Sequence, residues 1–599
     1  MRVFSPSFSS RLLFATGTCA MLVLAIVLIT GGFTVRAGPF RFSAHRSTAP
    51  LAIAGLTWLG AALYGRTSLR AAACSAVAFL ERYATSGALI VAAAAAAIGV
   101  AFGTYSASSA DASGYVSHSA LLASGRVMRD EPLAREVDWP EATWAFTPLG
   151  YRPGLRPGQI VVGYPLGLPL TMVPARLIGG ETGAFLVTPF LAALAVLCTY
   201  VIGAAVHSRI AGLIASALMT TSPIVLFQVV QPMSDVASAA WWALALACAL
   251  ARGPSAAIAS GTAAGLAFLT RPSLLPLAGA VALASAGWPR PQPSTFSTPF
   301  LTSRLSLFAA GAVPSLGALA LIQWRVYGSP LATGYGDISD FFAPSNIWPN
   351  IRDYSWRLLT GETAALALAA CALICLVVAR RSPPVIGVRR AALLTAVVGG
   401  LTLAIYLPYG VFPDWSYLRF LLPALPLAFV VVGALTFNAV ARLPEPSRGA
   451  TLLLVVTIAC SFNVVHAARE GAFDLRRYEA RYRAAGRYLE AALPADAVIV
   501  TSQHSGSASY YTGLPIVRWD QLNVDIDPAL AALRAKSRHP VVLIEDWELP
   551  AFRARFSRSP VASLDWPARA EFGDTTRVLL LDPLDRDMPR GANLTDRVH

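Results

Sequence analysis

The chain has 599 residues, 55% of them hydrophobic and only 13% charged, with a formal net charge of +14. A soluble domain carries about 25% charged residues; the deficit excludes an ordinary soluble protein, because charges are too costly in hydrocarbon to be spread along spans. The positive excess is no nucleic-acid patch either, since it consists of Arg punctuating apolar runs, and Lys occurs once, at Lys536.

Arg2 and Arg11 precede an apolar run from Leu12 to about Gly32 that has no clean cleavage site, so it reads as a retained first span. A span needs about 20 apolar residues. The runs predict about thirteen helical spans, at roughly 12–32, 50–65, 86–104, 181–205, 210–229, 236–251, 255–270, 273–288, 305–324, 362–379, 391–408, 421–441 and 449–467. The seventh and eighth are divided only by Thr270-Arg271-Pro272, a charge followed by a helix breaker. If those two were one helix, the topology downstream would invert.

Arg380, Arg381, Arg389 and Arg390 flank one short connection, which places that loop in the cytoplasm. Alternation then puts Arg66, Arg70, Arg82, Arg209, Arg252, Arg290, Arg304, Arg442 and Arg448 inside, the N-terminus inside and the C-terminal segment outside. Before residue 468 only Glu81 and Glu445 fall on the cytoplasmic side; the other carboxylates, Asp111, Asp235 and Asp414 among them, fall outside. Arg36, Arg41 and Arg46 go against this pattern, in a loop expected outside. Acid–base groups are thus segregated to the outer face, where any chemistry is expected.

Four outer elements follow: the long loop 105–180, the turn Gln231-Pro232-Met233-Ser234-Asp235, the aromatic loop 325–361, and the turn 409–420. Beyond residue 468 the composition becomes that of a soluble domain. Residues 474–493 form an amphipathic helical pattern, AVIVTS, VVLIE and RVLLLD read as short buried strands, and 528–537 and 547–557 read as helical. The expected architecture is an α-helical polytopic membrane protein with a small C-terminal α/β extracytoplasmic domain. Its parts are a two-span region 1–85, a transmembrane domain 86–467 and a soluble domain 468–599. The seven cysteines lie almost all in apolar runs and none is in the C-terminal domain, so neither a disulfide framework nor a CxxC metal site is expected.

Asp111 lies a few residues past the third span, at the height of a lipid phosphate. It can take a proton from an acceptor hydroxyl or hold a cation against a phosphate, or it can simply cap a helix. Asp235, after Gln228 and Gln231, is either its partner or a cap at the start of a span. Arg271 and Arg419 each sit at the outer end of a span, where they grip an anion, snorkel, or, for Arg419, pair with Asp414. Tyr115, His118, Gln231 and Tyr417 complete the candidate substrate-binding set. His118 has no second His or Cys nearby, which argues against zinc.

The stretch Asp111–Gly125 (DASGYVSHSALLASG) resembles the first outer loop of the GT-C glycosyltransferases. These are polytopic enzymes that use lipid-linked sugars and include the protein O-mannosyltransferases and aminoarabinose transferases. Gly163-Tyr164-Pro165-Leu166-Gly167, Pro232-Met233-Ser234-Asp235, Leu269-Thr270-Arg271-Pro272 and Tyr417-Leu418-Arg419-Phe420 support the resemblance, in order and on one face. It implies a GT-C fold over roughly residues 86–470 and a catalytic or metal-binding role for Asp111. It also implies a polyprenyl-phosphate-linked sugar as donor. Many relatives carry two adjacent acids in this loop; here Ala112 follows Asp111, so a second carboxylate must come from elsewhere, and Asp235 is the choice.

The expected reaction is a single inverting displacement in a bacterial inner membrane. Asp111 serves as base, Arg419 and Arg271 hold the phosphate, and a divalent cation (Mg, Mn or Ca) assists at Asp111 and Asp235. The acceptor is a lipid, glycan or protein hydroxyl; membrane lipids surround the chain and no nucleic acid is involved. A transporter or flippase of lipid-linked envelope precursors is the alternative. It would place polar or charged residues at the middle of several spans and often repeat its topology, whereas the charges here lie mostly at span ends and no repeat is seen. A non-catalytic scaffold would depend on neither Asp111 nor a lipid donor.

Overall fold

The computed structural model describes residues 48–64, 66–288, 298–362, 386–588 and 596–598, the strands Phe33–Ala37 and Phe40–Ala44, and isolated positions in 13–23 and at 366. The expected spans 12–32 and 362–379 lie largely outside the described residues. The loop between the first two spans contains a hairpin in which Arg36 pairs with Arg41 across β1 (Phe33–Ala37) and β2 (Phe40–Ala44).

Apolar helices build a bundle because each must bury its backbone polar groups in itself when water is absent. They are α1 (Thr48–Tyr64), α2 (Arg66–Phe102), α4 (Gly167–Val206), α5 (Arg209–Thr221), α6 (Pro223–Val229), α7 (Ser234–Leu250), α8 (Pro254–Thr270), α9 (Leu277–Ser285), α10 (Thr298–Tyr327), α12 (Ile386–Tyr406), α13 (Leu425–Ala441) and α14 (Glu445–Arg469). Small residues such as Ala237, Ala240, Ala263, Ala264 and Ala267 are buried at the helix contacts, where they let backbones approach. Other helices turn large apolar side chains outward: Leu89 and Ile90 on α2, Val313 and Leu321 on α10, Leu454, Ile458 and Phe462 on α14. Such a face is tolerable only against lipid, and the chain is a multi-pass membrane protein.

The count of about thirteen spans is not reached among the described residues. Six helices there are long and apolar enough to cross a membrane, and a seventh crossing results if α5 and α6 count as one bent span. The expected span 210–229 is broken: α5 and α6 meet at 60°, because Ser222-Pro223 ends one helix and starts another. The buried carboxylate of Glu362 accepts from Ser222 Oγ (2.8 Å) and Ile224 N (3.0 Å) at this break. Segments 236–251 and 255–270 form 17-residue helices, and 273–288 contains a helix of only nine. The run Gly167–Val206 labelled α4 is two helices joined at Gly179-Gly180, where Gly180 has φ +61°; the first lies within the loop expected over 105–180, and the second starts where the span 181–205 was expected.

Arg271-Pro272 does divide two antiparallel segments. Arg304 on α10 donates to carbonyls at the end of α7 (Ala251, 3.0 Å), the start of α8 (Gly253, 3.3 Å) and the end of α9 (Ser285, 2.5 Å). One guanidinium can gather these three points only if α9 returns to the end of the bundle from which α8 departed. Arg271 therefore lies at the opposite end.

That opposite end carries the polar parts. Residues 103–166 contain α3 (Ala110–Ala123) and an antiparallel sheet in the order β3 (Met128–Asp130), β5 (Gln159–Val162), β4 (Tyr151–Pro153). The loop after α10 is tied down by Tyr327 Oη donating to Val162 O (2.6 Å) and Arg152 donating to Gly334 O (2.9 Å). It contains α11 (Ile347–Thr360), whose buried Asn350 donates to the carbonyls of Leu407 (2.9 Å) and Tyr409 (2.7 Å). The turn after α12 leads into a 3-10 helix, Trp415–Ala424.

After α14 come α15 (Leu475–Ala492), α16 (Ser505–Thr512), α17 (Ile526–Ala535) and α18 (Leu549–Arg555) around a six-stranded mixed sheet. Its order is β11 (Asp596–Val598), β9 (Ala570–Phe572), β10 (Val578–Leu581), β8 (His539–Glu545), β6 (Ala497–Val500), β7 (Ile516–Val517). β6 runs parallel to both β7 and β8, while β10 is antiparallel to β8 and β9. The sheet's two apolar faces bury Val498, Val542 and Ile544 on one side and Ile499, Val541 and Leu543 on the other. This unit rests on the polar end of the bundle: Arg487 pairs with Glu181 (3.0 Å) and Arg176 donates to Tyr510 Oη (2.9 Å).

Candidate active site

Five helix ends converge at the polar end of the bundle, and each delivers one polar side chain. Asp111 stands in the first turn of α3 and Asp235 in the first turn of α7, where a carboxylate also answers the helix dipole. Arg271 follows the last residue of α8 in extended backbone, forced there by Pro272. Tyr406 ends α12, and Arg419 lies on the 3-10 helix before α13.

These groups form two ion pairs. Arg419 Nη2 lies 3.2 Å from Asp111 Oδ2, and Arg271 Nη2 lies 2.5 Å from Asp235 Oδ1. The pairs differ in access: the Asp111 side chain is 30% exposed, that of Asp235 only 1%. Arg271 also donates to Tyr406 Oη (3.1 Å) and to Ser234 Oγ (3.4 Å). Tyr115, one turn along α3 from Asp111, donates to the same Ser234 hydroxyl (2.8 Å), so the helix that carries Asp111 is hydrogen-bonded to the Arg271 pair. Beneath them lie aromatic faces: Arg419 sits 4.9 Å from the Tyr417 ring centre and 5.4 Å from Phe420, and Arg271 sits 5.3 Å from Phe420. Cation–π contact offsets part of the desolvation of a guanidinium. Two polar atoms remain buried without a partner, Asp235 Oδ2 and Arg419 Nε.

Of the residues singled out in the sequence, Asp111, Asp235, Arg271, Arg419, Tyr115 and Tyr417 come together here. Arg419 pairs with Asp111 and not with Asp414, whose carboxylate caps Ser416 N (2.8 Å). Gln231 turns back onto its own chain and donates to Phe227 O (3.0 Å). His118 is fully buried, edge-on to Tyr151 at 4.9 Å, and burial pulls its pKa down to about 3. It is a neutral core side chain under the site and does not open into it.

Tyr164, Tyr335, Tyr406, Phe420 and Ser234 are site residues that sequence reasoning did not select. The signal for Tyr164 and Ser234 was present in the quoted motifs Gly163–Gly167 and Pro232–Asp235. Tyr164 lies within electrostatic reach of Asp111 and packs on Tyr115 at 5.1 Å. Gly167 begins α4 directly against Thr270, and a Cβ there would overlap the Thr270 backbone, so this glycine lets α4 approach the residue before Arg271. The motif thus ties the Asp111 side of the site to the Arg271 side. Tyr335 lies within electrostatic reach of Tyr115, Asp111 and Arg271.

The donor set does not fit the expected divalent cation. Each carboxylate already holds a guanidinium, so the four groups sum to zero charge, and two fixed cations oppose a third. Among the described residues no three His, Cys, Asp or Glu side chains gather at one point. The arrangement instead suits an anion that meets two guanidiniums while a partly open carboxylate stands beside it.

No family model matches this sequence, and no curated protein aligns with it significantly. Solved structures do resemble it. The apo crystal structure of ArnT from Cupriavidus metallidurans superposes with a TM-score of 0.51 at 13% identity, covering 82% of this chain and 97% of that one. The same protein bound to undecaprenyl phosphate gives 0.48 at 13% identity over 85% and 98%. The archaeal oligosaccharyltransferase AglB from Archaeoglobus fulgidus, with an inhibitory peptide and a dolichol-phosphate, gives 0.47 at 13% over 86% and 75%. The fold is of the GT-C type.

Proposed function

We propose that this protein transfers a sugar from a polyprenyl-phosphate donor to an acceptor hydroxyl, with inversion, at the outer face of a bacterial inner membrane. The observation that carries the reading is the pairing of Asp111 with Arg419 at 3.2 Å, beside Arg271, at one end of a lipid-facing bundle. A carboxylate and two guanidiniums at the bundle end supply what such a transfer needs: a base for the acceptor and a grip for the leaving phosphate.

In this mechanism the donor phosphate engages Arg419 and Arg271, and its arrival draws Arg419 away from Asp111. The freed carboxylate takes the proton of the acceptor hydroxyl. The acceptor oxygen bonds to the anomeric carbon from the face opposite the phosphate, the carbon–oxygen bond to phosphate breaks, and polyprenyl phosphate leaves. Asp235 keeps Arg271 oriented, while Tyr115 and Ser234 hold the two pairs in register. Binding energy spent on the phosphate is most useful where charge grows as the bond breaks.

The test is transfer of labelled sugar from a panel of polyprenyl-phosphate donors in purified membranes, with wild type and Asp111→Asn. Transfer by the wild type and its loss in the variant support the reading. Movement of the labelled donor across the bilayer without transfer, in both proteins alike, supports a flippase instead and overturns it.

A further inference from the structure

The C-terminal domain grips the few residues that lead from the bundle to Asp111. Tyr105 and Ser109 have φ of +47° and +48°, a region that non-glycine residues rarely occupy. Such backbone persists only where surrounding contacts over-determine it. The bundle holds one side of this segment, through Tyr105 Oη donating to Val100 O (2.8 Å) and Thr104 N donating to Val230 O (2.8 Å), and residues beyond 470 hold the other. Arg483 donates to Tyr105 O (3.5 Å) and Ala107 N donates to Tyr511 Oη (3.0 Å).

A second contact lies on the other side of Asp111. Leu149 N donates to Ser505 Oγ (3.1 Å), and Gly506 lies so close to α3 that a Cβ would overlap Ser113 Oγ and stand 2.8 Å from Leu149 O. Ser113 itself hydrogen-bonds back to Ser109 O, closing the strained turn onto α3. The start of α16 is held in turn by His504, whose ring Nε2–H donates to the Glu545 carboxylate (2.9 Å) inside the domain.

We infer that the C-terminal domain is the positioning element of the active site: α15 and α16 clamp residues 105–113 and so set where the Asp111 carboxylate stands. This rests on the role proposed above for Asp111. Arg419 and Arg271 lie on other elements, so loosening the clamp misplaces the base and leaves the phosphate grip intact. Gly506 and Tyr511 are positioning residues; neither needs to touch a substrate.

The experiment uses the full-length protein in lipid nanodiscs and two readouts. Amide hydrogen exchange over 105–113 reads the clamp independently of chemistry, and transfer kinetics read its consequence. Gly506→Ala is expected to raise exchange over 105–113 and lower kcat about tenfold or more, with donor KM unchanged within about twofold, since small misplacements of a reacting group are costly. Tyr511→Phe, which keeps the ring and the fold, gives a smaller change in the same direction. Unchanged exchange and kcat in Gly506→Ala and Tyr511→Phe, or a loss that falls on donor KM alone, overturns the inference. Absence of any transfer by the wild type defeats the functional reading instead, and the exchange data then still decide the clamp.

Discussion

Two buried clusters of carboxylate and guanidinium in this molecule look alike and are built for different ends. In the C-terminal domain, Glu545 is saturated: Arg481 Nε (2.9 Å) and His504 Nε2 (2.9 Å) meet one oxygen and Trp547 Nε1 meets the other. Tyr482 lies flat on His504 at 4.3 Å and accepts from Gln503 (2.9 Å), while His504 Nδ1 is buried without a partner. At the bundle end, Asp235 Oδ2 and Arg419 Nε are buried with no partner, and Asp111 is partly open. Buried polar groups are normally satisfied, and each cluster keeps an unpartnered atom; what sets the bundle end apart is its opening at Asp111, where a ligand can enter, while Glu545 is sealed and fully paired.

The sharpest way to break this contrast is to remove one carboxylate from each side. Asp111→Asn is expected to cut transfer by about 10²–10⁴-fold while the thermal midpoint moves little, because this carboxylate is the partly open one; activity is read with labelled donor, stability by thermal unfolding. Glu545→Ala should do the reverse. It leaves Arg481 buried without its carboxylate, which typically costs about 3–5 kcal/mol, and denaturant unfolding of the C-terminal domain measures it. Equal stability losses in the two variants would erase the distinction.

Next in size is the phosphate grip. Arg419→Lys keeps the charge and loses the planar fork, so donor KM should rise about tenfold, with a smaller fall in kcat. A fall in kcat alone would mean that Arg419 acts on the base and not on the donor.

The smallest expected effect is the pH dependence of the domain cluster. Burial works to raise the Glu545 pKa, but hydrogen bonds and charge from His504 and Arg481 outweigh it and hold the carboxyl at about 2. A carboxyl held below its ordinary value contributes stability above that value and loses it as pH falls. The domain should therefore lose up to about 3 kcal/mol as pH drops from about 4.5 to 2. His504, which burial keeps below its ordinary pKa against the pull of Glu545, adds to the loss as acid protonates it in the unfolded chain. Unfolding of Glu545→Gln across this range should lack most of that slope.

Much of this was legible in one dimension. Hydropathy and the sparse charges disclosed a membrane protein, and the order of short motifs pointed to Asp111, Asp235, Arg271 and Arg419. Arg271-Pro272 was readable as a break because a charge and a missing amide both end a span. Less legible was the number of crossings, since the break at Ser222-Pro223 bends the chain by 60° and its end is also met by Glu362, remote in sequence. His118 misled because its polarity is visible in the sequence and its burial is not.

By itself, then, the sequence determined the solvent of each segment and which residue types reach the polar end, because both follow from local transfer energies. Only the tertiary structure decided the pairing: Arg419 with Asp111 and not with Asp414, Arg271 with Asp235, and residues 105–113 under α15 and α16. Pairing is a matter of distances between helix ends that are 36 residues apart in one pair and 308 in the other, and those distances are fixed by how the whole bundle packs.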